Sequence, residues 1–518
     1  MPTLDWIGKD KVINHHMVVP YRVLDPQYTY GEDTGNMIIH GDNLEALKSL
    51  LPQYEGKIRC IYIDPPYNTG NEGWVYNDNV NDPRIRKWLG QVVGSESEDL
   101  SRHDKWLCMM YPRLKLLHRL LAEDGVIFIS IDDAEIGNLL QICNEIFGER
   151  NHVATCIWQK RYSPDVRTSI SDAHEFILCY AKSPEIFKEK RHLLPLTDAQ
   201  TKQFSNPDKD PRGPWKANDF TAPGYRPNQM YEITLPSGRV VTPPAGRCWR
   251  VTKEGFEQFV AEDKMIYGVN GDGVPAVKRF LSEMPGMVPW TWWNHEEVGH
   301  TQEGNKQLAA IMGKAVFDYP KPSRLIERII RIATDKDSII LDSFAGSGTT
   351  AHAVLNMNKA DGGNRKFILI EMCDYAETIT AERVRRVTNG YGEGKKAVEG
   401  TGGGFTFYEL GEKLLDGEYL NENVPLDKIR SYVYFTETKQ PVTDKEDEPH
   451  YLGSYLETAY YFYYDKDAAT TLDHAFLTTV KTKAESYVIY ADRCILSEEE
   501  LERYHITFKK IPRDITRL

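Results

Sequence analysis

Ile61-Tyr62-Ile63-Asp64-Pro65-Pro66-Tyr67-Asn68-Thr69-Gly70 reads as the end of a buried strand followed by a stiff turn. Residues 58–63, apolar but for Arg59, stop at a polar turn, which is the pattern of a sheet strand. Open α/β sheets bind their ligands at the carboxyl ends of strands, so Asp64 stands where a site belongs. Two prolines fix the directions of the Asp64 side chain and the Pro65 carbonyl. Both groups accept hydrogen bonds, and Tyr67 adds a flat apolar face. A planar substrate bearing an –NH2 group matches this arrangement: its two N–H bonds meet two acceptors while its ring stacks on Tyr67. The competing reading is a rigid β-turn with a solvent-facing aspartate.

Working outward, 37–40 reads as a strand and 43–51 as a helix with Leu44, Leu47 and Leu51 on one face. A long amphipathic helix over 104–122 precedes Gly125 and a strand at 126–131. A helix over 133–147 and strands near 153–158 and 176–180 follow. The texture then changes. From about 181 to 300 the chain is dense in Pro, Gly, Trp, Arg and Lys, as in Pro211-Arg212-Gly213-Pro214-Trp215, and no long periodicity survives, which suggests an inserted, loop-rich domain. A helix at 322–333, a strand at 338–341, a loop at 342–348, a helix at 349–358 and a strand at 366–371 restore the βαβ pattern. A glycine-rich stretch, 390–404, leads into a C-terminal α+β segment whose aromatic run Tyr460-Tyr461-Phe462-Tyr463-Tyr464 suits a packed strand. The simplest architecture is one mostly parallel α/β sheet assembled from two sequence halves. The expected boundaries are 1–180 and 306–390 for the two halves of the sheet domain, 181–305 for the insert and 391–518 for the last domain.

The second informative stretch is Leu341-Asp342-Ser343-Phe344-Ala345-Gly346-Ser347-Gly348-Thr349-Thr350, between a strand and a helix. Glycines let a ligand approach the backbone, and the helix start offers free N–H groups. The lysine of a P-loop and the third glycine of a dinucleotide loop are both missing. Glu371 closes the next strand 23 residues after Gly348, where an acidic side chain takes ribose hydroxyls. A nucleoside cofactor without a pyrophosphate is therefore favoured, and S-adenosylmethionine meets that description.

Composition sets wider limits. With 518 residues, 41% hydrophobic and 27% charged, the chain is too long for one ordinary domain and is no disordered tail. The eight cysteines form no CxxC pair, which suits neither zinc nor a disulfide framework and points to buried thiols in a reducing cytosol. The start of the chain shows no basic segment followed by an apolar one, and no apolar run approaches the roughly 20 residues of a membrane helix. A cytoplasmic protein with no membrane partner is expected. The net charge of −13 argues at first against nucleic acid. Residues 151–320, however, carry 21 Lys and Arg against 20 Asp and Glu, whereas 401–518 carry 14 against 22. The acidity lies away from the insert, and phosphate contacts need only a handful of placed cations.

On these motifs the chain resembles the amino DNA methyltransferases, which methylate an exocyclic base nitrogen. Asp64 precedes Phe344 by 280 residues with the insert between, an order similar to the β class. Longer strings are similar to the modification subunit of type III restriction–modification systems. They are His40-Gly41-Asp42-Asn43-Leu44-Glu45-Ala46-Leu47, the Asp64–Gly70 run, Val75-Tyr76-Asn77-Asp78, His295-Glu296-Glu297-Val298-Gly299-His300 and Phe508-Lys509-Lys510-Ile511-Pro512-Arg513-Asp514-Ile515. The resemblance implies a Rossmann-like, seven-stranded, circularly permuted sheet with an inserted target-recognition domain, in a bacterial or archaeal, nucleoid-associated protein. It implies a catalytic set of Asp64, Pro65, Pro66 and Tyr67. Asp64 and Pro65 hold the target amino group and Tyr67 stacks on the base. It implies that Phe344, Gly346 and Gly348 cradle the cofactor, with Glu371 on its ribose and Asp342 near its methionine part. Lys321 and Ser323 then face its carboxylate, and Asp42 lies near its adenine. No metal is required. The implied partners are double-stranded DNA, a second copy of the chain and a helicase–nuclease restriction subunit. Asp before Pro-Pro-Tyr favours adenine over cytosine.

Alternatives remain open at this stage: an orphan methyltransferase without a restriction partner, a cytosine-N4 enzyme, a methyltransferase of RNA or protein amides, and a non-catalytic recognition subunit. Ring-carbon methylation of cytosine needs a Cys after a Pro, and none of the cysteines follows one. His295 and His300 have HExxxH spacing, which does not put two ligands on one helical face as HExxH does. Trp290, Trp292 and Trp293 are expected in the core rather than on bases, and 444–448 as a solvated acidic loop.

Overall fold

The computed structural model describes residues 3–32, 34–69, 90–91, 101–417 and 419–515. Gly70 and the string Val75-Tyr76-Asn77-Asp78 lie outside them. Ten strands form one sheet: β1 (Arg22–Gly31), β2 (Met37–His40), β3 (Ile58–Ile63), β4 (Leu121–Ile131), β5 (His152–Gln159), β6 (His174–Ala181), β7 (Trp292–Trp293), β8 (Ile339–Asp342), β9 (Lys366–Glu371) and β10 (Gly404–Lys413). Their order across the sheet is β1-β10-β2-β9-β8-β3-β4-β6-β5-β7. From β10 to β4 every neighbouring pair is parallel. β6 runs antiparallel to both β4 and β5, and β1 antiparallel to β10. The two sequence halves interleave, because β8 and β9 lie between β2 and β3.

The seven strands expected from the resemblance form the middle of this sheet, and three more extend its edges. β10 pairs with β2 and is covered in turn by β1, while the two-residue β7 closes the other side against β5. Covering strands satisfy backbone groups that an open edge leaves unpaired.

Helices flank the sheet for ordinary sequence reasons. α1 (Asn43–Tyr54) starts at Asp42, whose carboxylate caps Leu44 N at 2.8 Å and Glu45 N at 3.2 Å, as expected of an N-cap aspartate. α2 (Arg102–Leu120) begins with a Ser101–Asp104 capping box, and α3 spans Ile136–Phe147. α4 (Ser323–Ala333) buries Leu325, Ile326, Ile329, Ile330 and Ala333, the spacing of one helical face. α5 (Thr349–Asp361) follows the glycine-rich loop, and α6 (Glu382–Asn389) and α7 (Leu426–Thr438) complete the set used here. All six residues of β3 are buried; five are apolar, as suits a strand covered on both faces, and the sixth, Arg59, pairs with Asp124 at 2.8 Å.

The chain divides into two compact units, Leu193–Pro289 and the remainder. The first is narrower than the expected insert of 181–305. Helix Pro184–Lys190 packs on β4 and helix Thr301–Met312 on α6, so both flanks belong with the sheet. The unit is also more than loops. A three-stranded antiparallel sheet (Trp215–Asp219, Ala276–Phe280, Met265–Ile266) and helix Lys253–Ala261 enclose Phe220, Ile233, Leu235 and Trp249. Its elements are too short for periodicity to reveal.

The expected last domain, 391–518, also starts too early. β10 lies inside the main sheet and α7 packs on α1. The four strands β11 (Tyr451–Tyr455), β12 (Thr458–Phe462), β13 (Ser486–Ala491) and β14 (Ile506–Lys510) pair as a sheet of their own. The aromatic run is a packed strand there, with Tyr460, Tyr461 and Phe462 buried. The acidic loop is not wholly solvated: Glu448 is buried and accepts from Tyr461 Oη, Thr482 Oγ1 and the amides of Lys481 and Thr482. Burial opposes its ionisation, yet these donors hold its carboxyl down at about 2. Among the described residues no helix is long and apolar enough to cross a membrane.

Candidate active site

Sheet register assembles the site. Leu341 pairs with Ile61, Asp342 with Leu369 and Glu371 with His40, so β3, β8 and β9 end on one edge of the sheet. Asp64 follows β3 directly. Its two oxygens accept from Lys321 Nζ at 2.8 and 2.7 Å, and Oδ1 also accepts from Tyr67 Oη at 2.7 Å. Lys321 Nζ donates to Tyr67 Oη at 2.8 Å, so three short bonds use the three protons of the ammonium. Glu175, on β6, completes a quartet: its Oε2 accepts from Tyr67 Oη at 2.9 Å and lies 3.5 Å from Lys321 Nζ.

Burial raises the Asp64 carboxyl, the Lys321 ammonium opposes that rise and Glu175 adds to it. Burial also disfavours the Lys321 ammonium, but Asp64 and Glu175 hold its pKa above the ordinary lysine value. The lysine is therefore a fixed cation facing two carboxylates. Burial and the same carboxylates push the Tyr67 hydroxyl well above 10.

The turn after β3 is anchored from below. Trp106 Nε1, on fully buried Trp106 of α2, donates to the Pro66 carbonyl at 2.6 Å. Asn68 sits in the left-handed region at φ 58°, where asparagine is tolerated better than most residues. Its amide bonds the buried Glu135 carboxylate, which also holds His103 Nδ1 at 2.6 Å and Asn138 Nδ2 at 2.7 Å.

The glycine-rich loop is tied to the ends of β8 and β9. Glu371 Oε2 accepts from Gly346 N at 2.8 Å and Oε1 from Cys373 N at 3.0 Å. Asp342 Oδ1 accepts from Phe344 N at 3.0 Å and Oδ2 from Thr350 Oγ1 at 2.5 Å. Gly348 adopts φ 79°, and a Cβ there would come within 3.1 Å of Thr380 O, so both conformation and space require glycine. Burial pushes both the Asp342 and the Glu371 carboxyls up to about 7.

A raised carboxyl binds its proton more tightly folded than unfolded, so it adds stability as the pH falls through about 7 and loses it as the pH rises. Lowering the pH from 8 to 6 should gain roughly 1 kcal/mol from each group. Thermal unfolding of the free protein should show the gain, and Glu371→Gln should remove about half of it. An unchanged slope in that variant would refute the assignment.

The structure brings most of the expected residues into two groups. Asp64, Tyr67 and Lys321 converge, as do Asp342, Gly346, Gly348 and Glu371, with Phe344 half-buried on the same loop. Lys321, expected on a cofactor carboxylate, is committed to Asp64. Ser323 exchanges bonds with Gln307, at 2.8 and 3.2 Å. Asp42 caps α1 and lies 3.6 Å from buried Arg113. Of the three tryptophans only Trp293 is core, at 1% exposed, while Trp290 and Trp292 are 62% and 47% exposed. Glu297 pairs with Arg328 at 2.6 Å and His295 with Gln159 at 3.0 Å.

Sequence reading missed Trp106, Glu135 and Arg383. Fully buried Arg383 of α6 donates to Ser347 Oγ at 2.9 Å and Thr349 Oγ1 at 2.7 Å beneath the loop, and burial lowers its guanidinium to about 9. Glu135 had a signal, since it stands four residues past β4 on the same sheet edge. Trp106 and Arg383 lie within helices and had none.

An α/β sheet that sets carboxylates and a glycine-rich loop at the carboxyl ends of neighbouring strands places them where such sheets bind ligands. The chain belongs to the DNA methylase family, whose model matches residues 58–382. It is 35% identical over 389 residues to the Mod subunit of the type III restriction-modification enzyme StyLTI of Salmonella typhimurium, covering 71% of this chain and 57% of that one. It is 31% identical over 450 residues to the EcoPI Mod subunit of Escherichia phage P1, covering 76% and 66%. It is 33% identical over 370 residues to the type II methyltransferase M.KpnI of Klebsiella pneumoniae, covering 66% and 81%. The chain thus spans about three-fifths of the length of the two Mod subunits.

Proposed function

We propose that the chain transfers a methyl group from S-adenosylmethionine to the exocyclic N6 amino group of adenine in duplex DNA, as the modification subunit of a type III restriction–modification system. The observation that carries this reading is the buried Asp64 carboxylate at the end of β3, beside the loop at the end of β8. The loop fits a nucleoside cofactor: Glu371 offers a carboxylate at a strand end, Gly346 and Gly348 present bare backbone, and buried Ser343 Oγ has no hydrogen-bond partner among the described residues. Asp342, Phe344, Gly346, Gly348 and Glu371 would hold it. When bound, it supplies the methyl: the S–CH3 bond breaks with its electron pair left on sulfur as the amino lone pair forms N–CH3.

Asp64 and the Pro65 carbonyl accept the two N–H bonds of the amino group. They draw its lone pair out of conjugation toward a tetrahedral, nucleophilic geometry. Tyr67 supports the base face, and Pro65 and Pro66 fix the turn. The base must leave the duplex to reach them, at a cost of a few kcal/mol. The unit Leu193–Pro289 carries 12 Lys and Arg against 11 Asp and Glu, and we assign target recognition to it. Double-stranded DNA, a second copy of the chain and a helicase–nuclease subunit are the proposed partners.

The test is transfer of labelled methyl to duplex DNA, with the modified base and its sequence context read by methylome sequencing of a host expressing the chain. N6-methyladenine at one recurring site supports the reading. Its absence, or N4-methylcytosine in its place, refutes it. The likeness to a type II methyltransferase favours a second reading, an orphan enzyme. Failure of the tagged chain to capture a helicase–nuclease subunit from its own host would select that one.

A further inference from the structure

We infer that Tyr67 and Glu175 form a proton relay that carries away the proton released by the target amino group. The inference rests on the function proposed above and adds an exit path to it. Methyl transfer leaves the amino nitrogen with one proton too many, and Asp64 is the acceptor beside it. The Asp64 side chain is 17% exposed, and a base held against it covers that remaining face.

The structure supplies another way out. Tyr67 Oη lies 2.7 Å from Asp64 Oδ1 and 2.9 Å from Glu175 Oε2, both within ordinary O–H···O range. A hydroxyl with one proton donates to only one of these acceptors at a time, so it can take a proton from Asp64 while passing its own to Glu175. The proton moves from nitrogen to Asp64, from Asp64 to Tyr67 Oη and from Tyr67 to Glu175, and leaves as a hydronium ion. Asp64 and Tyr67 end as they began.

Charge favours the direction. Asp64, Glu175 and Lys321 sum to −1, so an incoming proton neutralises the cluster. Lys321 Nζ, bonded to Tyr67 Oη at 2.8 Å, holds the hydroxyl in place and leaves it a lone pair for Asp64. On its far side Glu175 faces Lys160, whose Nζ lies 3.6 Å from Oε1 and 2.6 Å from Asp172, and the Asp172 side chain is 48% exposed. Buried Tyr62 and Asp342 also face Asp64 electrostatically, but neither is bonded to it. Among the described residues, Asp64 is hydrogen-bonded to Lys321 and Tyr67.

The test compares the unaltered chain with Glu175→Gln, which keeps an acceptor for Tyr67 but takes up no proton, with Tyr67→Phe and with the double variant. Single-turnover methyl transfer to a plasmid bearing the target site in unmethylated form should fall at least tenfold at pH 7 in Glu175→Gln, and the loss should shrink as the pH rises to 9. The double variant should be no slower than Tyr67→Phe alone, because both changes break one path. Calorimetric binding of S-adenosylmethionine should stay within twofold, which reports an intact fold. Infrared titration of the free protein should show the Asp64 carboxyl protonating at lower pH in Glu175→Gln, since Glu175 now raises it. A Glu175→Gln rate within twofold of the unaltered chain between pH 6 and 9, multiplying losses in the double variant, or an unmoved Asp64 titration would overturn the relay alone. If the unaltered chain binds the cofactor and transfers no methyl to DNA, the functional reading falls and the relay with it.

Discussion

Asp64→Ala should reduce single-turnover methyl transfer on the order of 10³-fold while leaving S-adenosylmethionine affinity within about twofold. The carboxylate is the charged member of the acceptor pair after β3, and its contribution grows as the amino nitrogen becomes cationic. An acceptor that strengthens in the transition state acts on the rate rather than on ground-state binding. The groups proposed to hold the cofactor, Glu371 and the 342–348 loop, are bonded to one another rather than to Asp64. The alanine also strips buried Lys321 of its principal partner, a change that destabilises by several kcal/mol in buried pairs. Asp64→Asn serves as the control, because it keeps the shape and one acceptor oxygen without the charge. It should fall between alanine and the unaltered chain. Equal rates for all three, measured with labelled cofactor on duplex DNA, would remove Asp64 from the mechanism.

Lys321→Met should cost on the order of 10²-fold in transfer rate at pH 7 and recover in part toward pH 9. Methionine keeps much of the stem and loses the cation. Burial and Glu175 then raise the Asp64 carboxyl with nothing to oppose them, so a growing fraction of Asp64 is protonated and its acceptor oxygen lost. The sign is fixed: raising the pH ionises Asp64 and restores it. The resemblance to methyltransferases places this lysine on the cofactor carboxylate instead. That role predicts a different outcome, weaker S-adenosylmethionine binding at every pH and no recovery of rate. A pH–rate profile beside calorimetric binding separates the two.

Much of the site was legible because its signals are local. A short apolar run before Asp64-Pro65-Pro66-Tyr67, and another before a loop with Gly346 and Gly348, each mark a strand end by themselves. What stayed hidden depends on partners far away in the chain. Lys321 sits 257 residues from Asp64, and no pattern around Lys321-Pro322-Ser323 says that its ammonium turns toward β3. Glu175 falls where the resemblance puts the wall of the base pocket, but only antiparallel pairing of β6 with β4 brings its carboxylate to Tyr67. Trp290 and Trp292 look like core because tryptophan is apolar, yet only Trp293 finds a buried cavity.

The sequence by itself determined the strand–turn–strand grammar, the two acceptors, the glycine-rich loop and the acidic residue after β9, because backbone stiffness and hydrophobic patterning act over a few residues. Only the tertiary structure decided that β8 and β9 slot between β2 and β3, which puts Asp342 and Asp64 on one edge. It likewise decided that three further strands close the sheet, that the separate unit is Leu193–Pro289, and that one lysine faces two carboxylates. Those outcomes follow from burying apolar strands and pairing buried charges across hundreds of residues, and no local window carries that information.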